Sequence, residues 1–230
     1  MITPSEAEAY LGVDEATYPL EAVRPAPARV LEVGAGPGLG TLRIAEAFPQ
    51  ATVVALEPDD PARSALAWRL AGAPELQARV SVLPLSIFEV DFLGTFDLVV
   101  ARHLLCRTPP DARGAVLMRL SRRMGYDGST IIDDCFGAET DASEPRRLVA
   151  ERRIGDFTCS HWSTAENSGR GERTVVDEYT LTDRRGDVVQ QAQHQRVEWV
   201  TDRDFLLGSI RAAGMAPTAI AEGWMRLSTP

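Results

Sequence analysis

The sequence contains no lysine, and all 24 of its basic residues are arginine. A Walker phosphate-binding loop ends in Gly-Lys-Ser or Gly-Lys-Thr, so the lack of lysine excludes that loop from this chain. The 33 acidic residues give a formal net charge of −9 at pH 7. Because a nucleic-acid partner requires a basic face on the protein, this charge argues against such a partner.

Cysteine and histidine are scarce as well. The three cysteines, Cys106, Cys135 and Cys159, are far apart and lack Cys-x-x-Cys spacing, so they predict neither a disulfide framework nor a zinc site. The three histidines are equally scattered, and we therefore expect no bound metal. This cysteine usage is typical of a reduced, cytoplasmic setting.

Long apolar runs are also missing. No stretch approaches the roughly 20 apolar residues that span a membrane. The N-terminal sequence MITPSEAEAY lacks the basic-then-apolar pattern of a secretory signal. We therefore expect a cytoplasmic protein that makes no membrane contact.

The distribution of apolar residues indicates how the chain is organised. Short apolar runs alternate with helical segments from residue 28 to residue 135, which predicts a parallel sheet covered by helices. Within this stretch, a helix is predicted with Thr108 as its N-cap and Pro109 at its first position. The alternation stops over residues 136–200, where two extended runs flank the turn sequence DRRGD, and it resumes at residue 201.

A glycine-rich stretch, VLEVGAGPGLGT at residues 30–41, follows the first predicted strand. The dinucleotide fingerprint Gly-x-Gly-x-x-Gly is not met, because its third glycine position falls on Leu39 or Thr41. The stretch instead places Glu32 just before the pattern Gly-x-Gly-x-Gly. A tight turn without a ligand is the simpler alternative for such a loop.

Two acidic residues favour a particular ligand for this loop. A carboxylate at Glu32 repels phosphate and attracts a cation. Glu57 ends the second predicted strand, where its carboxylate can accept hydrogen bonds from both hydroxyls of a ribose. S-adenosylmethionine combines a ribose with an ammonium and a sulfonium group, so the two acids favour it over a nicotinamide dinucleotide.

The segments EVGAGPG (32–38), ALEP (55–58) and FDLVVARHLL (96–105) resemble the class I S-adenosylmethionine-dependent methyltransferases. The resemblance covers residues 28–135 and 201–228. It implies an α/β fold, a Rossmann-like, doubly wound, seven-stranded and mostly parallel sheet with the last strand antiparallel, here with a β-rich insertion. Together with the break in the alternation, we expect four segments: an N-terminal lid segment (1–27), a cofactor-binding core (28–135), an acceptor-binding insertion (136–200) and a closing helix and hairpin (201–230).

The same resemblance implies which residues bind the cofactor. Glu32 and the glycine loop would line the methionine end, Glu57 would hold the ribose, and Pro58 would touch the adenine. An aspartate commonly follows strand three in this family, but Ser86 stands at that place here. The full set implied is Glu32, Gly34, Ala35, Gly36, Gly38, Glu57, Pro58, Ser86, Ile87, Ala101 and Arg102.

Several residues are candidates for the acceptor side. His103 follows the fourth predicted strand and, with an ordinary pKa, could accept a proton at neutral pH, although it could equally position the cofactor. Asp133 at the end of the fifth strand could orient an amine or a hydroxyl. The remaining candidates for substrate binding are aromatic or imidazole side chains: Tyr10, Tyr18, His161, Trp162 and Tyr179.

These features predict an enzyme that methylates an N or O atom of a small metabolite. The β-rich insertion is similar to that of sugar-amine and other natural-product methyltransferases, which indicates secondary metabolism. Its exposed strand edges could be covered by a second subunit, so a homodimer is one expectation. The alternatives are an RNA-base methyltransferase, a non-catalytic S-adenosylmethionine-binding protein and a nicotinamide oxidoreductase.

Overall fold

The computed structural model of the protein describes residues 4, 7, 11, 18–133, 143–169, 171–200 and 202–230. The chain forms two compact units. The larger unit comprises Ala16–Gly137 and Thr201–Pro230, and the smaller unit comprises Met1–Glu15 and Ala138–Val200. In the described part of the chain, no helix combines the length and the apolar character needed to cross a membrane.

The helices and strands follow one another in a βα order that the smaller unit interrupts. The helices are α1 (Leu39–Ala47), α2 (Asp60–Ala71), α3 (Pro74–Gln77), α4 (Arg113–Arg123) and α5 (Arg203–Ala212). The strands are β1 (Arg29–Val33), β2 (Thr52–Leu56), β3 (Val80–Leu83), β4 (Phe96–Ala101), β5 (Met124–Asp133), β6 (Glu144–Ile154), β7 (Phe157–Gly169), β8 (Glu172–Thr182), β9 (Val188–Trp199), β10 (Ala216–Ala221) and β11 (Trp224–Ser228).

The larger unit contains a seven-stranded sheet in the order β10-β11-β5-β4-β1-β2-β3. Neighbouring strands from β5 to β3 run parallel, whereas β11 runs antiparallel to both of its neighbours. The predicted fold class is therefore confirmed. The carboxyl ends of β1, β2, β4 and β5 meet at one edge of the sheet, which is where such sheets bind ligands.

Both faces of this sheet are buried under apolar side chains. In β1, Leu31 and Val33 belong to one apolar cluster and Val30 to the other, so alternate residues pack against helices on opposite sides. Each such side chain contributes about 1.5–3 kcal/mol when it is fully buried. Helices α2 and α5 begin where Asp59 and Asp202 accept backbone N–H bonds from Ala62 and Phe205. Such a cap stabilises a helix by about 1 kcal/mol.

Helix α4 begins later than the sequence predicts. Thr108 is not its N-cap, because the hydroxyl donates to the carbonyl oxygen of Leu104 at 2.6 Å. The buried guanidinium of Arg113 donates from Nε to the carbonyl oxygens of Leu105 and Thr108. These bonds hold residues 104–108 as a turn, and regular helix starts only at Arg113.

The smaller unit contains an antiparallel sheet in the order β6-β7-β8-β9. His161 pairs with Tyr179, and Trp162 pairs with Glu178. Because side chains alternate along a strand, His161 and Tyr179 share one face of the sheet while Trp162 and Glu178 share the other. We call the face with His161 and Tyr179 the buried face, because Tyr179 packs there with Ala7 in an apolar cluster. We call the face with Trp162 and Glu178 the open face.

Candidate active site

The glycine loop after β1 has a backbone that favours glycine. Gly34 and Gly36 have φ angles of 76° and 57°, in the left-handed region that side chains with a Cβ rarely adopt. A Cβ at either position would meet nothing within 4 Å. Backbone conformation rather than packing therefore demands glycine here, and the space above the loop is open to a ligand.

Glu32 lies buried beneath this loop. Its Oε2 accepts a hydrogen bond of 2.5 Å from the Thr41 hydroxyl, and its side chain sits against Gly40 in α1. A Cβ at Gly40 would collide with both the Tyr18 hydroxyl and the Glu32 carboxylate. Helix α1 can therefore approach the acid only because residue 40 is glycine. Thr41 and Gly40 join the site, although no pattern in the sequence predicts it.

Glu57 ties the end of β2 to the glycine loop. One carboxylate oxygen accepts from the N–H of Gly36 at 2.7 Å, and the other accepts from the N–H of Asp59 at 2.8 Å. An ionised carboxylate offers about four acceptor positions, so roughly two remain for a ligand. This is the number needed for the two hydroxyls of a ribose.

The segment after β3 presents a carboxylate, Glu89, that no sequence pattern predicted. The N–H and hydroxyl of Ser86 donate to Glu89 at 2.8 and 2.6 Å. The hydrogen bond from the Ser86 hydroxyl lowers the pKa of the Glu89 carboxyl, so Glu89 stays ionised. Ile87 is buried in the apolar cluster that also holds Leu31.

Tyr18 lies close to Glu32 and Arg102 in the larger unit. Its ring centroid is 5.3 Å from that of Trp224, and the Arg102 guanidinium lies 5.7 Å from the same Tyr18 ring. With Glu32 beside it as well, Tyr18 stands next to the residues predicted to bind the methionine end of the cofactor. Tyr10, the other predicted N-terminal tyrosine, lies outside the described residues.

His103 adopts an unusual backbone conformation at the end of β4. Its φ of 53° is left-handed, which costs a residue with a side chain of the order of 1–3 kcal/mol. Asp133 at the end of β5 stabilises it: the His103 N–H donates to both carboxylate oxygens at 2.9 Å, and Nδ1 lies 3.0 Å from Oδ2. Asp133 was predicted to orient the acceptor. In the structure its carboxylate contacts both the backbone and the ring of His103.

The surroundings of His103 change its pKa. Burial lowers the pKa, but hydrogen bonds to Asp133 and Cys106 raise it by more, and the balance is a pKa of about 9. The imidazole is therefore protonated at neutral pH, and the expectation of an ordinary pKa was wrong. Cys106 was not predicted, although its position three residues after His103 was visible in the sequence.

The three predicted residues of the smaller unit do not form one group. On the buried face, His161 stacks on Tyr179 with centroids 4.5 Å apart, and His161 Nε2 lies 2.9 Å from Oδ1 of the buried Asp177. Trp162 lies on the open face, where the Arg146 guanidinium stacks 4.1 Å from its ring centroid. Strand alternation separates Trp162 from its two predicted partners.

Comparison with known proteins shows a similarity to methyltransferases over the part of the chain that contains this site. A family model described as a methyltransferase domain matches residues 31–129, which include the glycine loop, Glu32 and Glu57. No curated protein matches the chain by sequence.

Solved structures share the fold over almost the whole chain. A sugar N-methyltransferase from Streptoalloteichus sp. ATCC 53650 superposes with a TM-score of 0.73 at 18% identity, covering 98% of this chain and 87% of that one. DesVI from Streptomyces venezuelae gives 0.76 at 14% identity, with 99% and 93% covered. An amino pentose methyltransferase from Micromonospora echinaspora, involved in calicheamicin biosynthesis, gives 0.72 at 19% identity, with 98% and 92% covered.

The family match and the fold agree with the geometry of the glycine loop. The carboxylates of Glu32 and Glu57 accept hydrogen bonds, and the space above Gly34 and Gly36 is open. This arrangement suits a ligand with a ribose and a cationic end. Residues 31–129 therefore match a methyltransferase domain, and the chain shares its fold with methyltransferases of known structure.

Proposed function

We propose that this enzyme methylates an amino nitrogen of a small metabolite, such as an amino sugar, during natural-product biosynthesis. The proposal rests on the presence of two sheets in one chain: a seven-stranded sheet and a four-stranded antiparallel sheet. The strands of the second sheet follow β5 and precede α5 in the sequence. The structures that share this arrangement include methyltransferases named for sugar and amino pentose substrates. The net charge of −9 supports a small acceptor over RNA.

The cofactor would bind across the glycine loop through groups of opposite charge. The buried Glu32 carboxylate would attract the α-ammonium, and Glu57 would accept from the ribose hydroxyls with its remaining lone pairs. Arg102 supplies a cation for the α-carboxylate, next to the Tyr18 ring. The Glu89 carboxylate stands close to Ser86, where the family places its adenine contact.

When bound, S-adenosylmethionine supplies a methyl group that its sulfonium has already activated. The protein has to hold the acceptor atom in line with the S–CH₃ bond and exclude water, and such positioning lowers a barrier by about 7–11 kcal/mol. A neutral amine attacks through its lone pair without losing a proton, whereas a hydroxyl must lose one. His103 is protonated at neutral pH and is therefore poorly suited to serve a hydroxyl, which favours nitrogen.

The smaller unit would select the acceptor through its open face. Tyr179 and Asp177 on the buried face are 1% and 2% exposed, so they cannot form a ligand-binding surface. Trp162, half-buried beneath Arg146 and next to Glu178, offers an aromatic surface with a cation and an anion beside it. Such a surface suits a polar ring such as a sugar.

Calorimetry with S-adenosylmethionine tests the cofactor site. Glu57→Ala removes charge-assisted hydrogen bonds worth about 1.5–3 kcal/mol each, so binding should weaken at least about tenfold. The matched control is Glu46→Ala, an exposed glutamate in α1, which should bind as the wild type does. Equal affinity in the two variants would contradict the site.

Mass spectrometry of reactions with paired acceptors tests the rest of the proposal. Amino sugars and the hydroxyl sugars of the same skeleton are incubated with enzyme and S-adenosylmethionine, and products are examined for one or two added methyl groups. Methylation of the amines alone is expected. Methylation of the hydroxyl series, or of RNA only, would overturn the assignment of the acceptor.

A further inference from the structure

Helix α2 contacts the glycine loop through two side chains. Nε of Arg69 donates a hydrogen bond of 2.8 Å to the carbonyl oxygen of Pro37. Leu66, one turn earlier, is fully buried, and a Cβ at Gly38 would collide with its Cδ1. Because residues three positions apart are neighbours on a helix surface, Leu66 and Arg69 contact the loop from the same side of α2.

The part of the loop that α2 contacts leads directly into α1. Gly38 is the N-cap of α1, and its left-handed φ of 91° sets the direction in which the helix leaves the loop. In the first turn of that helix, the Thr41 hydroxyl donates to the Glu32 carboxylate. A shift of Pro37 would therefore move α1 relative to Glu32, the acid proposed to attract the α-ammonium of the cofactor.

A second arginine of α2 contacts the ribose end of the proposed site. Nη1 of Arg63 donates to the carbonyl oxygens of Glu57 and Pro58 at 2.9 and 3.0 Å. Its Nη2 also pairs with Asp60 in the first turn of α2. One helix thus holds two loops with separate side chains: Arg63 contacts the loop after β2, and Arg69 contacts the glycine loop.

Packing alone does not account for an arginine at position 69. The side chain is half-buried, and burial lowers the pKa of its guanidinium because the charge loses hydration there. A methionine would cover the same apolar surface without this cost. The charge-assisted bond to Pro37 offsets the cost, and it occupies the one polar backbone group of a residue that has no N–H.

We propose that Arg69 is a positioning residue that holds the glycine loop in the conformation that binds the methionine end of S-adenosylmethionine. The inference rests on the cofactor site of the proposed function. Without the bond to Pro37, the loop would also populate conformations that do not bind, and the apparent Kd rises as the competent fraction falls. A loop that is competent about a tenth of the time binds about tenfold more weakly.

Calorimetry with two ligands separates the two loops. Adenosine contains the base and ribose of S-adenosylmethionine but lacks its methionine end. Arg69→Met removes the donor, so it should weaken binding of S-adenosylmethionine about tenfold and leave adenosine at the wild-type affinity. Arg63→Met should weaken both ligands, because both contain the ribose. The matched control is Arg211→Met, at an exposed arginine of α5, which should bind both ligands as the wild type does.

Amide hydrogen exchange in the cofactor-free enzyme tests the loop itself. The N–H groups of Gly36 and Gly38 are both hydrogen-bonded within the protein, so both should exchange slowly. Arg69→Met should speed their exchange about tenfold, because exchange follows the population of the open loop. The N–H of Val53 in β2 is also hydrogen-bonded and should exchange at the wild-type rate in this variant.

Two outcomes would overturn the role of Arg69. Equal losses of affinity for S-adenosylmethionine and adenosine, with faster exchange at Val53 as well, would mean that the residue only supports the fold. Unchanged affinity and unchanged exchange would mean that the loop keeps its conformation without Arg69. A wild type that binds no S-adenosylmethionine would contradict the proposed function, and the exchange rates would still decide whether Arg69 holds the loop.

Discussion

The two units bury their sheets with different chemistry. In the larger unit, both faces of the sheet are covered by aliphatic side chains such as Leu31 and Val30. In the smaller unit, oppositely charged groups form a chain across the sheet. Its members are Glu144, Arg173, Glu198, Arg196, Asp177 and His161.

This difference predicts how each unit responds to substitution. Apolar burial is non-directional and tolerates a change of neighbour, so the larger unit can keep its fold while its loops vary. A buried charge depends on specific partners of opposite charge, and removing a partner leaves the charge less compensated. The smaller unit should therefore be the more sensitive of the two to single polar substitutions, to pH and to salt.

The largest expected effect is on the stability of the smaller unit. Asp177→Ala leaves Arg196 and His161 without their buried carboxylate, which should cost about 3–5 kcal/mol. Chemical denaturation followed by Trp fluorescence measures the loss. The control, Asp156→Ala, breaks an exposed pair with Arg184 between two turns of the same unit and should cost less than about 1 kcal/mol. If both variants lose a similar amount of unfolding free energy, buried and exposed ion pairs do not differ in their contribution to the stability of this unit.

A slightly smaller effect is expected at the cofactor site. Glu32→Gln keeps the size of the side chain and its bond from Thr41 but removes the charge that would attract the α-ammonium. Affinity for S-adenosylmethionine should fall about tenfold or more, since charge-assisted hydrogen bonds contribute about 1.5–3 kcal/mol. Calorimetry at low and high salt provides the measurement. If the Kd for S-adenosylmethionine is unchanged in Glu32→Gln, the α-ammonium of the cofactor does not bind at Glu32.

A substitution on the open face of the smaller unit should weaken binding of the acceptor and leave binding of S-adenosylmethionine unchanged. Trp162→Ala removes the aromatic surface beneath Arg146 and should raise the KM for the acceptor severalfold, up to about tenfold. S-adenosylmethionine affinity should stay at the wild-type value. Tyr179→Phe, on the buried face, serves as the control and should leave acceptor KM unchanged. Equal losses for both ligands in Trp162→Ala would mean that the residue supports the whole fold.

The smallest effects concern pH, and they run in opposite directions in the two units. In the smaller unit, burial raises the pKa of the Glu198 carboxyl, but Arg196 and Arg173 lower it by more, so the net shift is downward. Its stabilising contribution is present above the ordinary value of 4.5 and is lost as the pH falls through the lowered pKa. In the larger unit, the pKa of His103 is raised, so its contribution is complete below 6.5 and is lost as the pH rises through about 9.

Denaturation at several pH values separates these two contributions. Glu198→Gln should flatten the acid side of the stability curve and leave the alkaline side intact. Asp133→Asn should do the reverse, because His103 then loses the partner that raises its pKa. If either variant altered both sides equally, the two units would not titrate independently.

Much of the larger unit could be predicted because its determinants are local. The alternation of apolar runs and helical segments predicted the parallel sheet. The spacing from Glu32 to Gly38 predicted the glycine loop at the edge of that sheet. The glycines were informative because φ angles such as that of Gly36 are set within a few residues. The late start of α4 was missed, because the bonds from Arg113 that form the preceding turn leave no local pattern.

The sequence by itself determined the fold class, the glycine loop and the two acids that favour S-adenosylmethionine, since strand period and turn geometry depend on neighbouring residues. The tertiary structure decided what depends on pairing between strands. It placed Trp162 and Tyr179 on opposite faces of one sheet, and it brought Asp133 to His103 across thirty positions of sequence. The pKa of His103 follows from that contact, because a carboxylate 3.0 Å away stabilises the imidazolium, and no spacing in the sequence encodes that distance.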